Sequence, residues 1–168
     1  MNLPTWITCS RLLAVPATLI LLHDPTLEHR WWALGIFLVA ALTDWLDGYL
    51  ARRLNQVTDL GKFLDPLVYK LLVLAPLMML VELGQVPAWG VFAIAARELT
   101  IAGWRVSQPK VSGANWWGKF KTVSQIVAIA LLLCPWVDAY PVAALSAFWI
   151  AVALSWISGL IYLVPKQD

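Results

Sequence analysis

From Asp44 to Tyr69 the chain reads DWLDGYLARRLNQVTDLGKFLDPLVY, a polar and charged block between two strongly apolar runs. Asp44 and Asp47 are three residues apart, so their carboxylates share one face if this segment is helical. Asp65 follows after a short basic and polar link, near the start of the next apolar run. Because ionised carboxylates facing lipid are costly, acids in this setting need a partner, a metal ion or water beside them.

Three acids on two adjacent helices predict a site for divalent cations. Asp44, Asp47 and Asp65 offer only oxygen ligands, which suit hard cations such as Mg²⁺ or Mn²⁺. An alternative is that the three carboxylates form structural ion pairs with basic residues of the same stretch. Those basic residues are Arg52, Arg53 and Lys70.

The composition points to a membrane protein. Of the 168 residues 61% are hydrophobic and 13% are charged, and the mean hydropathy is +0.73. A soluble domain of this size has too little interior to bury so much apolar surface. Residues 1–168 are therefore predicted to form one polytopic membrane domain. Cys9 and Cys134 lie in apolar runs and are interpreted as small buried side chains, not as a disulfide or metal ligands.

Six apolar runs are long enough to be membrane spans, which need about 20 residues each. They cover roughly Trp6 to Leu22, Trp31 to Tyr49, Asp65 to Leu83, Ala88 to Trp104, Trp116 to Cys134 and Pro141 to Val164. The predicted fold is an all-α bundle of six transmembrane helices with a polar cavity open to the cytoplasm. Tryptophans near several span ends favour an interfacial belt.

The distribution of charge predicts the orientation of the bundle. The turns after spans one, three and five carry acids and a single basic residue, Arg30. The links after spans two and four carry most of the basic residues: Arg52, Arg53, Lys62, Arg105, Lys110, Lys119 and Lys121. The positive-inside rule then places both termini on the cytoplasmic side, together with the stretch from Asp44 to Tyr69, named here the acidic block. His23 and His29 fall on the opposite side and are interpreted as interfacial residues.

A second group of charged residues lies later in the chain. Arg97 and Glu98 sit inside an apolar run, which is costly without partners, and Arg105, Lys119 and Lys121 flank a polar link. One interpretation is a pocket for the phosphate of a small anionic substrate. The other is a structural Arg97–Glu98 pair with basic membrane anchors around it.

Several residues of the acidic block suit a phosphate-bearing ligand. Gly48 lets a ligand or a helix approach the backbone closely, and Gly61 does the same or simply forms a turn. Arg52 lies about two turns beyond the first acid, where it fits a phosphate. Thr58 either donates its hydroxyl to a phosphate or caps the next helix. No nucleic-acid signature accompanies these residues, and the basic links are too short for a nucleic-acid face.

The spacing Asp44-x2-Asp47-Gly48-x2-Ala51-Arg52-x8-Gly61-x3-Asp65 resembles the signature of the CDP-alcohol phosphotransferase superfamily. Other segments are similar to its phosphatidylglycerophosphate synthase branch. They are the opening Asn2 to Thr8 with Arg11 and Pro16, Gly61 to Pro66, Ala96 to Leu99 with Gly103 and Arg105, and Gly118 to Thr122.

The resemblance implies an enzyme that transfers the phosphatidyl group from CDP-diacylglycerol to sn-glycerol 3-phosphate and releases CMP. It implies two divalent cations held by Asp44, Asp47 and Asp65, and a homodimer in a bacterial-type inner or plasma membrane, in contact with membrane lipids. It assigns the CDP-lipid to Gly48, Ala51, Arg52, Thr58 and Gly61. It assigns the acceptor phosphate to Arg97, Arg105, Lys119 and Lys121.

Position 69 departs from the family signature. The signature ends with a fourth aspartate four residues after the third, which serves as a metal ligand and as the proposed general base; this chain has Tyr69 there. With a reference pKa of about 10, a tyrosine is a poor ligand and a poor base near neutral pH. Asp59 is expected in the link before the third helix and so offers no replacement. The sequence therefore predicts impaired turnover.

Three alternatives to glycerol 3-phosphate transfer stay open. The first is the same chemistry with another acceptor, such as inositol phosphate, serine or a second phosphatidylglycerol. The second is a catalytically inactive homologue that binds CDP-lipid. The third is an ion-coupled transporter, which is disfavoured because the acids gather at one end of the spans and no inverted repeat is visible.

Overall fold

The computed structural model describes residues 3–53, 59–106 and 116–163, and within them the side chains of residues 11–44, 66–104 and 116–161. The described backbone is helical apart from short turns, which confirms the all-α prediction. Its helices are α1 (Leu3–His23), α2 (Leu27–Arg53), α3 (Asp59–Glu82), α4 (Ala88–Val106), α5 (Trp116–Leu133) and α6 (Pro141–Leu163), with a 3₁₀ turn at Val137–Ala139 before α6.

Each predicted apolar run falls on one of these helices, but α2 and α3 extend further into the charged link than predicted. α2 continues to Arg53, and α3 begins at Asp59. The expectation that Asp59 lies in the link was wrong, and Gly61 also belongs to α3. The physical reason is charge placement along the chain: an acid is the first residue of α3 and two arginines are the last residues of α2. Acids near a helix N-terminus and cations near a C-terminus stabilise the helix.

Membrane-spanning character differs among the helices. Among the described residues, Pro141–Ile161 of α6 is the one segment that is long and apolar enough to cross a membrane by length and composition, and Arg11–His23 of α1 is a shorter apolar segment. The prediction of six spans therefore stays a prediction.

The helices pack so that α1 lies against α2 and α3, while α5 lies against α6, α2 and α3. α4 joins the bundle by contacts with α3 and α6. The centre of the bundle is filled by fully buried apolar side chains, among them Leu22, Phe37, Leu80, Leu132 and Phe148. Val91 and Ile94 of α4 belong to the same buried cluster, so the core draws on all six helices.

A glycine allows the close contact between α4 and α6. A Cβ atom at Gly90 would lie 2.7 Å from the ring of Phe148, closer than real Cβ contacts allow. Small residues that let two backbones approach are a general means of packing helices in membranes.

The turns α1–α2, α3–α4 and α5–α6 meet at one end of the bundle, named here the outer end. Arg30 at the start of α2 donates a hydrogen bond to the carbonyl oxygen of Leu132 near the end of α5, over 3.4 Å. Trp31 packs edge-on against Trp136, with ring centroids 5.4 Å apart. The opposite end therefore brings together the starts of α1, α3 and α5 and the ends of α2, α4 and α6.

Local signals in the sequence close the turns at the outer end. Thr26 caps α2 by accepting a hydrogen bond from the backbone N–H of His29 over 3.1 Å. Gly84 ends α3 with a φ of 69°, and the N–H of Gln85 donates to the carbonyl of Leu80 over 2.9 Å. This Schellman arrangement needs a left-handed residue, which glycine adopts without strain.

Candidate active site

Buried polar side chains gather toward the end of the bundle opposite the outer end. Apart from Thr18 and Ser155, the buried polar residues of the described part are Arg11, Arg97, Glu98, Lys121, Gln125 and Ser158. Because a buried charge is costly unless it is paired and hydrogen-bonded, each of these groups requires specific partners. Their contacts define a candidate site at this end, where the acidic block also lies.

The first contact of the site is an ion pair between Arg11 of α1 and Asp44 of α2. The Arg11 guanidinium donates to a carboxylate oxygen of Asp44, with side chains 3% and 29% exposed respectively. A cation on the neighbouring helix therefore compensates the first acid of the block. Asp44 still offers partly exposed carboxylate oxygen of the kind that hard cations prefer.

The other acids of the block are placed by their backbone. Asp47 lies one turn beyond Asp44 on α2, and Asp65 lies on α3, one turn before Tyr69. The side chains of Asp47 and Asp65 lie outside the described residues, and so do the surroundings of Gly48, Ala51, Arg52 and Gly61. For Thr58 the backbone lies outside the described residues as well. Among the described side chains there is no group of three possible metal ligands, so the predicted cation site rests on Asp44 and on the helical spacing.

The second contact group, named here the cation cluster, consists of Arg97, Glu98, Lys121 and Ser158. The Arg97 guanidinium donates to Glu98 Oε1 over 3.2 Å, and Lys121 Nζ donates to the same oxygen. Arg97 Nη2 also donates to Ser158 Oγ of α6 over 3.0 Å. Arg97, Glu98 and Lys121 are each 6% exposed. Two cations share one carboxylate, which leaves a net positive charge inside the bundle.

Helix α6 approaches Arg97 closely at a glycine. A Cβ atom at Gly159 would lie 3.0 Å from Arg97 Nε and 3.2 Å from Arg97 Cγ. Arg97 Nε is buried and has no hydrogen-bond partner among the described residues. The guanidinium is therefore held against α6 with one donor still to be satisfied.

Tyr69 connects α3 of the acidic block to the cation cluster. Its hydroxyl donates to Gln125 Oε1 of α5 over 3.0 Å. The ammonium of Lys121 lies 5.7 Å from the centroid of the Tyr69 ring. Lys121 and Gln125 are one turn apart and share a face of α5. The residue at the position of the missing aspartate is thus in direct contact with the predicted acceptor pocket.

Comparison with known proteins decides the family. The family described as CDP-alcohol phosphatidyltransferase matches residues 1–159. The chain belongs to this family. Three bacterial relatives bear the name CDP-diacylglycerol–glycerol-3-phosphate 3-phosphatidyltransferase. The Bacillus subtilis protein is 40% identical over 96% of this chain and 93% of its own length. The Escherichia coli K12 protein is 37% identical over 96% of this chain and 93% of its own length. The Haemophilus influenzae protein is 34% identical over 96% of this chain and 91% of its own length.

The predicted acceptor-phosphate residues of this family member do not all lie together. Arg97 and Lys121 meet at Glu98, and the structural Arg97–Glu98 pair that the sequence also suggested is present. Lys119 lies on the exposed surface, with Nζ 4.6 Å from the centroid of the Trp116 ring, and is not brought into the cation cluster. Arg105 lies on α4, and its side chain is outside the described residues.

Sequence reasoning did not assign a role to Arg11, Gln125, Ser158 or Gly159. A signal existed for two of them, since Arg11 and Gln125 are isolated polar residues in apolar runs, and Gln125 follows Lys121 by one turn. No such signal marks Ser158 and Gly159, because small residues are common in any apolar helix. Only the packing of α6 on α4 gives those two residues their contact with Arg97.

Proposed function

We propose that this protein transfers the phosphatidyl group of CDP-diacylglycerol to sn-glycerol 3-phosphate, giving phosphatidylglycerophosphate and CMP in phospholipid biosynthesis. Relatives named for this reaction align with 96% of the chain. The observation that carries the proposal is the buried cation cluster, which has a net positive charge. Its Lys121 ammonium lies beside the ring of Tyr69, at the end of the acidic block. A site for a small phosphate monoester beside a site for a diphosphate lipid is what the reaction requires.

We further propose a six-span membrane protein with the candidate site and both termini in the cytoplasm of a bacterial cell. Large apolar side chains are exposed along the helices, among them Leu13, Ile20, Met78, Phe92 and Val142, as expected for lipid-facing surfaces. Exposed tryptophans lie near the helix ends. Homodimer formation is expected from the family resemblance.

Divalent cations, Mg²⁺ or Mn²⁺, would be held by Asp44, Asp47 and Asp65. The donor set fits, since it offers carboxylate oxygens alone and the first two acids are one turn apart on α2. When bound, such cations stabilise charge that develops on the diphosphate during transfer. The CDP-lipid would contact Gly48, Ala51, Arg52, Thr58 and Gly61.

The residues of the cation cluster bind and orient the acceptor. Arg97 and Lys121, with Arg105, would hold the phosphate of glycerol 3-phosphate, and Glu98 fixes the separation of the first two cations. The acceptor hydroxyl oxygen would then bond to the β-phosphorus and lose its proton to solvent water. The bond from this phosphorus to the oxygen of CMP would break, and CMP would leave with the electron pair. Positioning of this kind accounts for a large share of catalysis in group transfer.

Proton transfer is the weak step in this chain. The Tyr69 hydroxyl keeps its proton and donates it to Gln125, and a neutral phenol is a far weaker base than a carboxylate. This observation favours a second candidate function, in which the protein binds CDP-diacylglycerol with little or no turnover. Both candidates share the same binding site.

A CMP-release assay on the purified protein in phospholipid vesicles tests the proposal. CDP-diacylglycerol is supplied with Mg²⁺ or Mn²⁺ and, in turn, glycerol 3-phosphate, inositol phosphate, serine or phosphatidylglycerol. We expect slow CMP release that depends on glycerol 3-phosphate. Faster release with another acceptor would overturn the assignment of the acceptor, and CDP-diacylglycerol binding without release under any condition would favour the inactive homologue.

A further inference from the structure

Gln125 has an unusual environment for an amide on α5. The side chain is buried, at 1% exposed, and its oxygen accepts the hydroxyl hydrogen of Tyr69 over 3.0 Å. Its amide nitrogen Nε2 is buried and has no hydrogen-bond partner among the described residues. Because a buried donor without a partner is costly, this nitrogen marks a place for an acceptor atom that the chain itself does not supply.

The surroundings of that nitrogen indicate the chemistry of the missing partner. Gln125 shares a face of α5 with Lys121, which belongs to the cation cluster. Arg97 Nε is a second buried donor without a partner among the described residues. A ligand for this place carries negative charge for the cations and further oxygen atoms for neutral donors. A phosphorylated polyol has both, whereas inorganic phosphate has no hydroxyl-bearing carbon chain.

We infer that Gln125 is a specificity-determining residue, which donates from Nε2 to a hydroxyl oxygen of a phosphorylated polyol acceptor, and that Tyr69 is the positioning residue that fixes its amide. The Tyr69 hydroxyl donates to the amide oxygen, and this bond sets the amide orientation in which Nε2 is the donor without a partner. Position 69 thereby contributes to acceptor recognition through a hydroxyl that donates to Gln125, whereas an ionised aspartate at this position has no proton to donate. This inference rests on the proposed function, because it concerns the acceptor of that reaction.

Binding measurements test the inference without requiring turnover. The full-length protein in detergent micelles containing CDP-diacylglycerol is titrated with sn-glycerol 3-phosphate and, separately, with inorganic phosphate, by calorimetry. The variants are Gln125→Leu, Tyr69→Phe and the double variant. Tyr69→Phe keeps the ring beside Lys121 and removes only the hydroxyl, so it stays informative if Gln125→Leu does not fold.

We expect Gln125→Leu to weaken glycerol 3-phosphate binding by about tenfold and Tyr69→Phe by about threefold, as for the loss of one hydrogen bond. The double variant should be no weaker than Gln125→Leu, because both changes act on one contact. The affinity for inorganic phosphate should stay unchanged. Tyr140→Phe is the matched control, since that hydroxyl donates to Cys134 Sγ over 2.8 Å at the outer end, far along the chain from the site.

Two results would overturn the inference while leaving the proposed function intact. The first is glycerol 3-phosphate affinity that is unchanged in both single variants. The second is an equal loss of affinity for glycerol 3-phosphate and inorganic phosphate, which would assign Gln125 a structural role. A wild-type protein that binds CDP-diacylglycerol but not glycerol 3-phosphate would instead overturn both the inference and the proposed acceptor.

Discussion

At the scale of single residues, Tyr69 stands where the family signature has an aspartate, and its contacts join α3 to α5. A carboxylate at this position would accept a proton and bind metal, whereas the phenol donates its hydrogen to Gln125 and packs its ring against the apolar core. The aromatic ring also lies beside the Lys121 ammonium. A tyrosine here is therefore integrated into the bundle, and its replacement affects both chemistry and stability.

Tyr69→Asp should raise the rate of CMP release with glycerol 3-phosphate by at least about tenfold, since a general base typically contributes about 10²- to 10⁴-fold. The variant should also lose about 1–3 kcal/mol of stability, because the buried Gln125 amide oxygen loses its donor. Tyr69→Asn is the control, being similar in size to the aspartate without offering a base. If the wild-type turns over at roughly 1 to 10³ per second and Tyr69→Asp leaves the rate unchanged, position 69 is not the base.

The buried and the exposed lysine of α5 provide a second test at the residue scale. Lys121→Gln removes one of two cations that share Glu98, whereas Lys119→Gln removes an exposed charge beside Trp116. We expect Lys121→Gln to raise the KM for glycerol 3-phosphate at least about tenfold, with a much smaller rise in the KM for CDP-diacylglycerol. The effect of Lys119→Gln should be smaller. Equal changes in both KM values would indicate that Lys121 only anchors the helix.

At the scale of elements, α6 contributes to the site although it carries no charged residue in its described part. Its Ser158 accepts a hydrogen bond from Arg97, and its Gly159 leaves room for the guanidinium. The guanidinium of Arg97 on α4 lies against Ser158 and Gly159 of α6, and Gly90 allows the two helices to approach. The orientation of Arg97 is therefore a property of the helix pair and not of α4 alone.

Gly159→Ala should displace Arg97, because the added methyl group would lie 3.0 Å from Nε. We expect a loss of about 1–3 kcal/mol in stability, as for overpacking elsewhere, together with weaker glycerol 3-phosphate binding. Gly103→Ala on α4 is the matched control, since no described atom lies within 4 Å of the position that its new methyl group would take. That control should be neutral or slightly stabilising. Thermal unfolding and calorimetric titration of both variants measure the difference, and equal behaviour would contradict the role of α6.

At the scale of the whole molecule, charge is separated between the two ends of the bundle. In the described part of the chain, the outer end holds Arg30 and several tryptophans, whereas the opposite end holds Asp44 with Arg11 and the cation cluster. A diacyl lipid with a charged head group meets such a site most easily at a membrane surface, where its tails remain in the bilayer. The architecture thus agrees with a reaction between a lipid and a small water-soluble acceptor.

The orientation of the bundle can be tested by labelling single cysteines in spheroplasts. In a background without Cys9 and Cys134, a cysteine in place of Gln56 should react with a membrane-impermeant maleimide only after the membrane is opened. A cysteine in place of His29 should react from outside, because the basic links favour the cytoplasm. The reverse pattern would contradict the proposed topology.

The sequence by itself determined the helices, the family and the location of the acidic block. Apolar runs bounded by turn residues predict helices locally, and the motif from Asp44 to Asp65 depends only on spacing along the chain. Charge placement likewise predicts an orientation without any tertiary contact. The boundaries of α2 and α3 were predicted less well, since helix ends depend on the few residues around each terminus.

Only the tertiary structure decided which buried groups are partners. Arg11 pairs with Asp44 across 33 residues, Tyr69 with Gln125 across 56, and Arg97 with Ser158 across 61. The alternative pairing of the acids with Arg52, Arg53 or Lys70 stays a prediction, because the side chains of residues 45–65 lie outside the described part of the chain. Partnerships of this kind depend on the rotation of each helix about its axis and on its depth in the bundle. Packing of the apolar core sets both, and no local sequence pattern encodes them.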